Sequence, residues 1–186
     1  MMPEAIQNFD FAVLNAIQDI FACDFMNIFM LIVTFLGGAV IWLAVAAVLL
    51  FIKSQRFNSI YIAAAVLFSF LLIECVIKLL FMRERPYLIA DFPIICDPPM
   101  GTSFPSGHTS ISFAAAVTFF KVKKWLGFVG LGFAALVGFS RLYLYVHFPT
   151  DVIAGAIIGS LVGLMVIFIV DGFRKLYHRK KMTKSN

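Results

Sequence analysis

Three separate segments of the chain carry side chains suited to work on a phosphoryl group. Cationic side chains and N–H donors bind phosphate oxygens, and a histidine near neutral pH can act as acid, base or nucleophile. The residues concerned are Lys78 and Arg85 in the first segment, Ser106, Gly107 and His108 in the second, and Ser140, Arg141, His147 and Asp151 in the third. Together they indicate phosphoryl chemistry at a single site.

The local order of these residues adds detail to that interpretation. A small turn through Ser106 and Gly107 that runs into a helix offers free backbone N–H groups and the positive end of the helix dipole to an anion. Asp151 follows His147 by four residues, so in the first turn of a helix its carboxylate can reach a ring nitrogen. Histidine and cysteine pairs at metal-binding spacing are missing from the sequence, as is an acidic cluster, so we expect neither a metal site nor a cofactor.

The elements that must position these residues are membrane helices. The chain has 186 residues, of which 62% are hydrophobic and 13% charged, a composition that excludes an ordinary soluble enzyme or a disordered chain. Because a membrane-spanning backbone must satisfy its own hydrogen bonds, the long apolar stretches predict helices. We predict an all-α, polytopic membrane bundle of about five to six transmembrane helices, with apolar stretches at residues 29–52, 57–82, 104–120, 125–146 and 152–170.

The N-terminal segment has a different pattern. Apolar residues recur at three- and four-residue steps between residues 3 and 21, which predicts an amphipathic helix at the membrane surface, with an extra partial span as the alternative. We predict one membrane domain over residues 1–186. It comprises an amphipathic N-terminal segment (1–24), a helical core (29–170) and a basic cytoplasmic tail (171–186).

The basic residues predict the orientation of the bundle. Eleven of the fifteen follow the first, third and fifth apolar stretches, which by the positive-inside rule makes that side cytoplasmic. The net charge of +5 is therefore interpreted as a topology signal and as contact with anionic membrane lipids rather than with nucleic acid. On the other side lie Lys78, Arg83, Arg85 and Arg141.

Several neighbouring residues leave alternatives open. Glu74, one helical turn before Lys78, either shields that lysine as an ion pair or orients it for phosphate binding. Arg83 either anchors the chain at the interface or contacts a second phosphate. A Cys23–Cys96 disulfide is possible but not favoured. A glycine stripe at residues 155, 159 and 163 favours internal helix packing over a homodimer seam.

The three segments resemble the signature motifs of the type 2 phosphatidic acid phosphatases, or lipid phosphate phosphatases. The matching sequences are Lys78 with Arg85-Pro86, then Pro105-Ser106-Gly107-His108, then Ser140-Arg141 with His147 and Asp151. The resemblance implies that His147 is a nucleophile forming a phosphohistidine, that Asp151 orients it, and that His108 is the general acid. It also implies that Lys78, Arg85, Ser106, Gly107 and Arg141 bind the phosphoryl group, and it includes Ser140 without a definite role. Glu74 and Arg83 lie outside the motifs and are possible supporting residues from their positions alone.

The same resemblance implies metal-independent hydrolysis of a lipid phosphate or diphosphate. Undecaprenyl diphosphate is the favoured substrate, as in bacterial members of the family that serve cell wall biogenesis; phosphatidylglycerophosphate or phosphatidic acid is the alternative. A lipid phosphotransferase and a catalytically silent membrane protein are more distant alternatives. The expected location is the bacterial cytoplasmic membrane, with the site on its extracytoplasmic side. The sequence leaves the oligomeric state open.

Overall fold

The computed structural model describes the backbone of residues 3–183 and the side chains of residues 3–176. All regular elements in this part are helices, joined by short connections except for the 17-residue loop 90–106. Its α-helices are α1 (Glu4–Phe21), α2 (Asp24–Leu36), α3 (Ala39–Phe51), α4 (Arg56–Leu72), α5 (Lys78–Leu80), α6 (Pro86–Ile89), α7 (Gly107–Thr118), α8 (Lys124–Tyr143) and α9 (Pro149–Thr183). The predicted all-helical class is confirmed.

Three helical segments of the described chain are long and apolar enough to cross a membrane. They are Lys53–Leu80, Lys124–Tyr143 and Pro149–Leu176, and the pair α2 and α3 makes a fourth if it counts as one bent span. This pair replaces the straight span predicted over residues 29–52, because the chain bends by 53° at Gly37 and Gly38. The bend coincides with a close approach to α8: a Cβ added to Gly37 would lie 2.5 Å from Val137 Cγ1.

Helix α7 lies at the centre of the bundle, where ten of its 12 residues are buried. At 1.5 Å per residue it is about 18 Å long, shorter than the roughly 30 Å hydrocarbon layer. It packs closely on α9 because that helix presents glycines: a Cβ on Gly155 would lie 2.7 Å from the Ser106 carbonyl oxygen, and one on Gly163 would lie 2.8 Å from that of Ala114. The prediction that the glycine stripe serves internal packing is confirmed.

Helix α1 buries a face that overlaps only partly with its predicted apolar stripe, which comprises Ile6, Phe9, Val13, Ala16, Ile17 and Ile20. Asp10, Leu14 and Ile17 are its buried residues. Phe9 and Ile20 of the predicted apolar face remain 59% and 71% exposed, and so stay free to contact lipid. The amphipathic helix is therefore present, and it also contributes a buried carboxylate to the interior of the protein.

The helix that follows Lys53 changes its winding before it ends. Residues Ile73–Ile77 form a π-helical turn, after which α5 adds one short turn and the chain becomes extended until Pro86 starts α6. A π-turn inserts an extra residue and so re-aims the side chains that follow it. The turn contains Glu74 and lies directly before Lys78.

The basic residues Lys53, Lys121 and Arg174 lie at the opposite end of the bundle from the motif residues, since they occupy the other ends of the same helices. The side chains of residues 177–183 and all of residues 184–186 lie outside the described residues. That part includes Arg179, Lys180, Lys181 and Lys184 of the predicted basic tail.

Candidate active site

The motif residues meet around a cavity of about 230 Å³ at one end of the bundle. The end of the π-turn helix, the start of α7, the end of α8 and the link from α8 to α9 surround it. Most of its polar side chains are buried, and three cations therefore converge where water is largely excluded. Its lining includes Gly107 and the charged or histidine side chains of Glu74, Lys78, Arg85, His108, Arg141 and His147.

His147 lies in the link between α8 and α9 and is 2% exposed. Arg85 Nη1 lies 3.3 Å from His147 Nε2. A guanidinium can only donate hydrogen bonds, so Nε2 is the acceptor and the ring proton belongs on Nδ1. Burial lowers the pKa of His147 from 6.5 to about 3, against the opposing effect of the Asp151 carboxylate. His147 is therefore a neutral imidazole at pH 7, with the Nε2 lone pair available as a nucleophile.

Asp151 faces the other ring nitrogen from the first turn of α9. Its Oδ2 lies 3.7 Å from His147 Nδ1, which is too long for a hydrogen bond, and Nδ1 has no hydrogen-bond partner among the described residues. The fully buried carboxylate is fixed instead by other donors: Ser103 Oγ at 2.5 Å, Phe148 N at 2.9 Å and Arg83 Nη1 at 2.6 Å. The Asp151 carboxylate is thus a negative charge in a fixed position beside the imidazole.

The two motif arginines are held by different partners. Arg85 donates to the carbonyl oxygens of Val146, Met100 and Gly101 at 2.9–3.0 Å, which fixes the plane of its guanidinium. Arg141 Nη1 donates to Thr34 Oγ1, while its buried Nε has no hydrogen-bond partner in the described part of the chain. Since an unpaired buried N–H is costly, this donor is available to a bound oxyanion.

Lys78 and Glu74 form an ion pair of 2.7 Å at the edge of the cavity. The carboxylate also approaches the start of α7, since a Cβ on Gly107 would lie 2.9 Å from Glu74 Oε1. Ser106, at the N-cap of α7, accepts a hydrogen bond from Thr109 Oγ1 at 2.9 Å, which leaves its own hydroxyl proton free to donate. Its backbone N–H donates to the carbonyl oxygen of Asp151 and so joins the second and third motifs.

Four residues of the sequence-based set do not line the cavity: Ser106 and Asp151, which contact residues beside it, and Ser140 and Arg83. The Ser140 hydroxyl donates to the Val137 carbonyl of its own helix. Arg83, for which an interfacial anchor and a phosphate contact were both considered, instead forms ion pairs of 2.6 Å with Asp10 and Asp151. The Cys23 and Cys96 thiols are free, as is that of Cys75.

Four residues around the site were not identified from the sequence. Asp10 and Thr150 hold Arg83, Ser103 holds Asp151, and Thr34 holds Arg141. The only sequence signal among them is Asp10, an acidic residue between Phe9 and Phe11 of a membrane-associated helix. The other three are ordinary small polar residues whose partners are distant in sequence.

A second cavity of about 640 Å³ adjoins the first and shares Pro99, His108 and Arg141 with it. It lies between α2 and the loop before α7, and its lining is mixed. The apolar part includes Leu31, Phe35, Ile94 and Ile95, and the polar part includes Thr34 and Asp97. His108 thus borders both cavities.

A helical membrane protein with a neutral histidine and three buried cations around one cavity has the site of an enzyme that acts on phosphoryl groups. Residues 58–175 match the model of the PAP2 superfamily, and the chain belongs to that family. This membership, together with its similarity to known phosphatases, makes it an integral-membrane lipid phosphatase.

Several known proteins are similar to this chain. It is 33% identical to an undecaprenyl-diphosphatase of Sulfolobus acidocaldarius, over 77% of this chain and 70% of that protein. It is 32% identical to a lipid A 4'-phosphatase of Bacteroides thetaiotaomicron, over 71% of this chain and 65% of that protein. The crystal structure of a transmembrane PAP2 type phosphatidylglycerolphosphate phosphatase from Bacillus subtilis superposes with a TM-score of 0.75 at 28% identity, covering 93% and 88% of the two chains.

Proposed function

We propose that this protein removes a phosphoryl group from a lipid phosphate or diphosphate through a phosphohistidine on His147, without a metal ion. The observation that carries the proposal is the Nε2 of His147, which accepts from Arg85 and opens on a cavity that also holds Lys78 and Arg141. Such a cavity combines a nucleophile with the cations that stabilise charge on the transferring phosphoryl group.

In the first step, the lone pair of His147 Nε2 attacks phosphorus and the bond from phosphorus to the lipid oxygen breaks. His108 donates a proton to that departing oxygen. Lys78, Arg85 and Arg141 bind the phosphoryl oxygens, with the Ser106 hydroxyl and the Gly107 N–H as further donors. The phosphorylated imidazole keeps its Nδ1 proton and gains positive charge, which the neighbouring Asp151 carboxylate stabilises.

In the second step, the neutral His108 takes a proton from a water molecule, whose oxygen attacks phosphorus. The bond from phosphorus to Nε2 breaks, its electron pair returns to the imidazole, and inorganic phosphate leaves. At the end of the cycle His108 carries the proton and His147 is neutral. In the unliganded protein, burial and then the neighbouring Arg141 lower the pKa of His108 to about 3, so His108 gains its proton only together with the anionic substrate, whose charge offsets that of the cations. Covalent catalysis in this form uses the same cations for both steps.

The apolar part of the second cavity's lining supports a lipid substrate. Because His108 borders both cavities, a leaving group protonated by His108 would have its hydrocarbon chain beside Leu31 and Phe35. We favour undecaprenyl diphosphate, for which the leaving group is the lipid monophosphate, since one similar protein is an undecaprenyl-diphosphatase at 33% identity. Phosphatidylglycerophosphate is the second candidate, from the similar crystal structure; phosphatidic acid remains a sequence-based alternative.

The placement in the membrane is part of the proposal. The cavity lies at the end of the bundle opposite Lys53, Lys121 and Arg174, so a basic cytoplasmic face puts the site on the extracytoplasmic side of a bacterial cytoplasmic membrane. A five-span topology requires that the buried α7 cross together with the longer helices, and α1 would add a sixth.

Phosphate release from purified protein tests the proposal. The panel is undecaprenyl diphosphate, undecaprenyl phosphate, phosphatidylglycerophosphate and phosphatidic acid, each with and without EDTA. We expect the highest kcat/KM for undecaprenyl diphosphate, activity unchanged by EDTA, and inhibition by vanadate, which mimics the transferring phosphoryl group. An absolute Mg²⁺ requirement would contradict the metal-free mechanism. Transfer of the phosphoryl group to an acceptor lipid, without release of inorganic phosphate, would favour a phosphotransferase.

A further inference from the structure

Asp10, on helix α1, is fully buried although it lies 68 residues before the first motif residue. Its Oδ2 lies 2.6 Å from Arg83 Nη2 and accepts a hydrogen bond from Thr150 Oγ1 at 2.7 Å. Its Oδ1 accepts from the backbone N–H of Thr150 at 3.1 Å. The carboxylate therefore joins the N-terminal helix to the start of α9, one residue before Asp151.

Arg83 connects the two carboxylates. Nη1 lies 2.6 Å from Asp151 Oδ1, and the guanidinium carbon lies 3.8 Å from the centre of the Phe148 ring. The backbone carbonyl of Arg83 accepts from Ser103 N at 2.8 Å, while the Ser103 hydroxyl donates to Asp151 Oδ2. Arg83 and Ser103 thus contact each other, and both fix the position of the Asp151 carboxylate.

The charges in this network explain why a second carboxylate belongs there. Asp151 and Arg83 alone would form a neutral pair, and a neutral pair stabilises a neighbouring positive charge poorly. With Asp10 the group of three carries a net charge of −1. Because the side chains of Asp10 and Asp151 are 0% exposed and that of Arg83 is 10% exposed, this charge acts through a medium that screens it weakly.

We propose that Asp10 is a positioning residue for the phosphatase reaction: through Arg83 it sets the location of Asp151 and the net negative charge beside His147. The inference rests on the proposed function, in which His147 gains positive charge as it becomes phosphorylated. Helix α1 is then part of the catalytic machinery as well as a membrane-associated segment. Asp10 does not line the cavity, so its removal acts on the reaction and not on substrate binding.

The direct test compares Asp10→Asn with Asp19→Asn, an exposed acid on the same helix. For Asp10→Asn we expect a kcat about 10 to 100 times lower, as is typical for residues that support a catalytic group, with KM within threefold and slower formation of the phosphoenzyme. Asp19→Asn is expected to match the wild type. An Asp10→Asn kcat within threefold of the wild type overturns the inference.

Two further variants separate charge from packing. If Asp10 acts through Arg83, the double variant Asp10→Asn/Arg83→Gln loses no more activity than Arg83→Gln alone, whereas independent roles give additive losses and contradict the inference. Asp10→Glu, which keeps the charge, is expected to recover most of the lost kcat. If it recovers none, the role is one of shape only and the inference fails.

Two further variants distinguish a folding defect, and a failure of the proposed function, from a failure of this inference. If Asp10→Asn does not fold, Thr150→Val replaces it, because it removes the hydroxyl that holds Asp10 and Arg83; we expect a kcat threefold to tenfold lower at unchanged KM, and an unchanged kcat overturns the inference. His147→Ala is assayed alongside. Activity in His147→Ala refutes the proposed function, whereas an inactive His147→Ala with a fully active Asp10→Asn refutes only the role of Asp10.

Discussion

The two ends of the bundle both contain ion pairs, but in different surroundings. At the end with the cavity, Arg83 lies between Asp10 and Asp151, whose side chains are 0% exposed. At the opposite end, Lys121 pairs with Asp171 at 2.8 Å, and both side chains are 32% exposed. Asp171 also accepts a hydrogen bond from the Tyr61 hydroxyl. The same kinds of residue are therefore sealed from solvent at one end and hydrated at the other.

The difference in burial implies different contributions of the two sets of ion pairs. Exposed ion pairs contribute about 0–1 kcal/mol to stability. Removing one partner of a buried pair leaves an uncompensated charge and costs about 3–5 kcal/mol. Among the described residues, the buried ion-pair network lies at the end with the cavity, beside the histidine that gains and loses positive charge in the proposed mechanism.

The largest expected effect is that of His147→Ala. The variant lacks the nitrogen that attacks phosphorus, so we expect kcat to fall by at least about 10⁴-fold while the protein stays folded. Phosphate release and a thermal unfolding curve measure the two properties. Substantial residual turnover would contradict covalent catalysis at this residue.

His108→Ala is expected to lower kcat by about 10⁴-fold for a lipid substrate, at the upper end of the range for general acid–base groups. With a lipid substrate, the first step of the reaction needs a proton for the departing oxygen. A substrate whose leaving group needs no proton, such as p-nitrophenyl phosphate, should therefore form the phosphoenzyme at nearly the wild-type rate. An equal loss of phosphoenzyme formation with both substrates would assign His108 another role.

Asp151→Asn is expected to lower kcat by about 10³-fold, within the range for groups that orient a histidine. The change also removes one partner of Arg83, so the free energy of unfolding should fall. Steady-state kinetics and chemical denaturation measure both. A variant that loses stability but keeps full kcat would make Asp151 a purely structural residue.

Two lysines offer a matched pair for the comparison between the two ends. Lys78→Ala removes a cavity cation and should lower kcat by about 10²-fold. Lys121→Ala removes the exposed partner of Asp171 and should leave kcat within twofold and stability within about 1 kcal/mol. If the two variants behave alike, the functional difference between the ends of the bundle is refuted.

The sequence predicted the helical class and the charged and histidine side chains that line the cavity, because motif residues at helix ends face the same side of a bundle. The bend at Gly37 was not predicted, since an average over apolar residues does not register the contact with Val137. Asp10 and Ser103 were missed because their role depends on partners far away in the chain. The catalytic roles of His108, His147 and Asp151 stay predictions until they are measured.

Trapping the phosphoenzyme tests the covalent step itself. Purified protein is mixed with substrate labelled in the transferred phosphoryl group, quenched with alkali within a turnover, digested and mapped by mass spectrometry. We expect an acid-labile, alkali-stable phosphoryl group on the peptide that contains His147, and none in His147→Ala. A phosphoryl group on any other residue, or turnover with no phosphoenzyme at the earliest times, would contradict the mechanism.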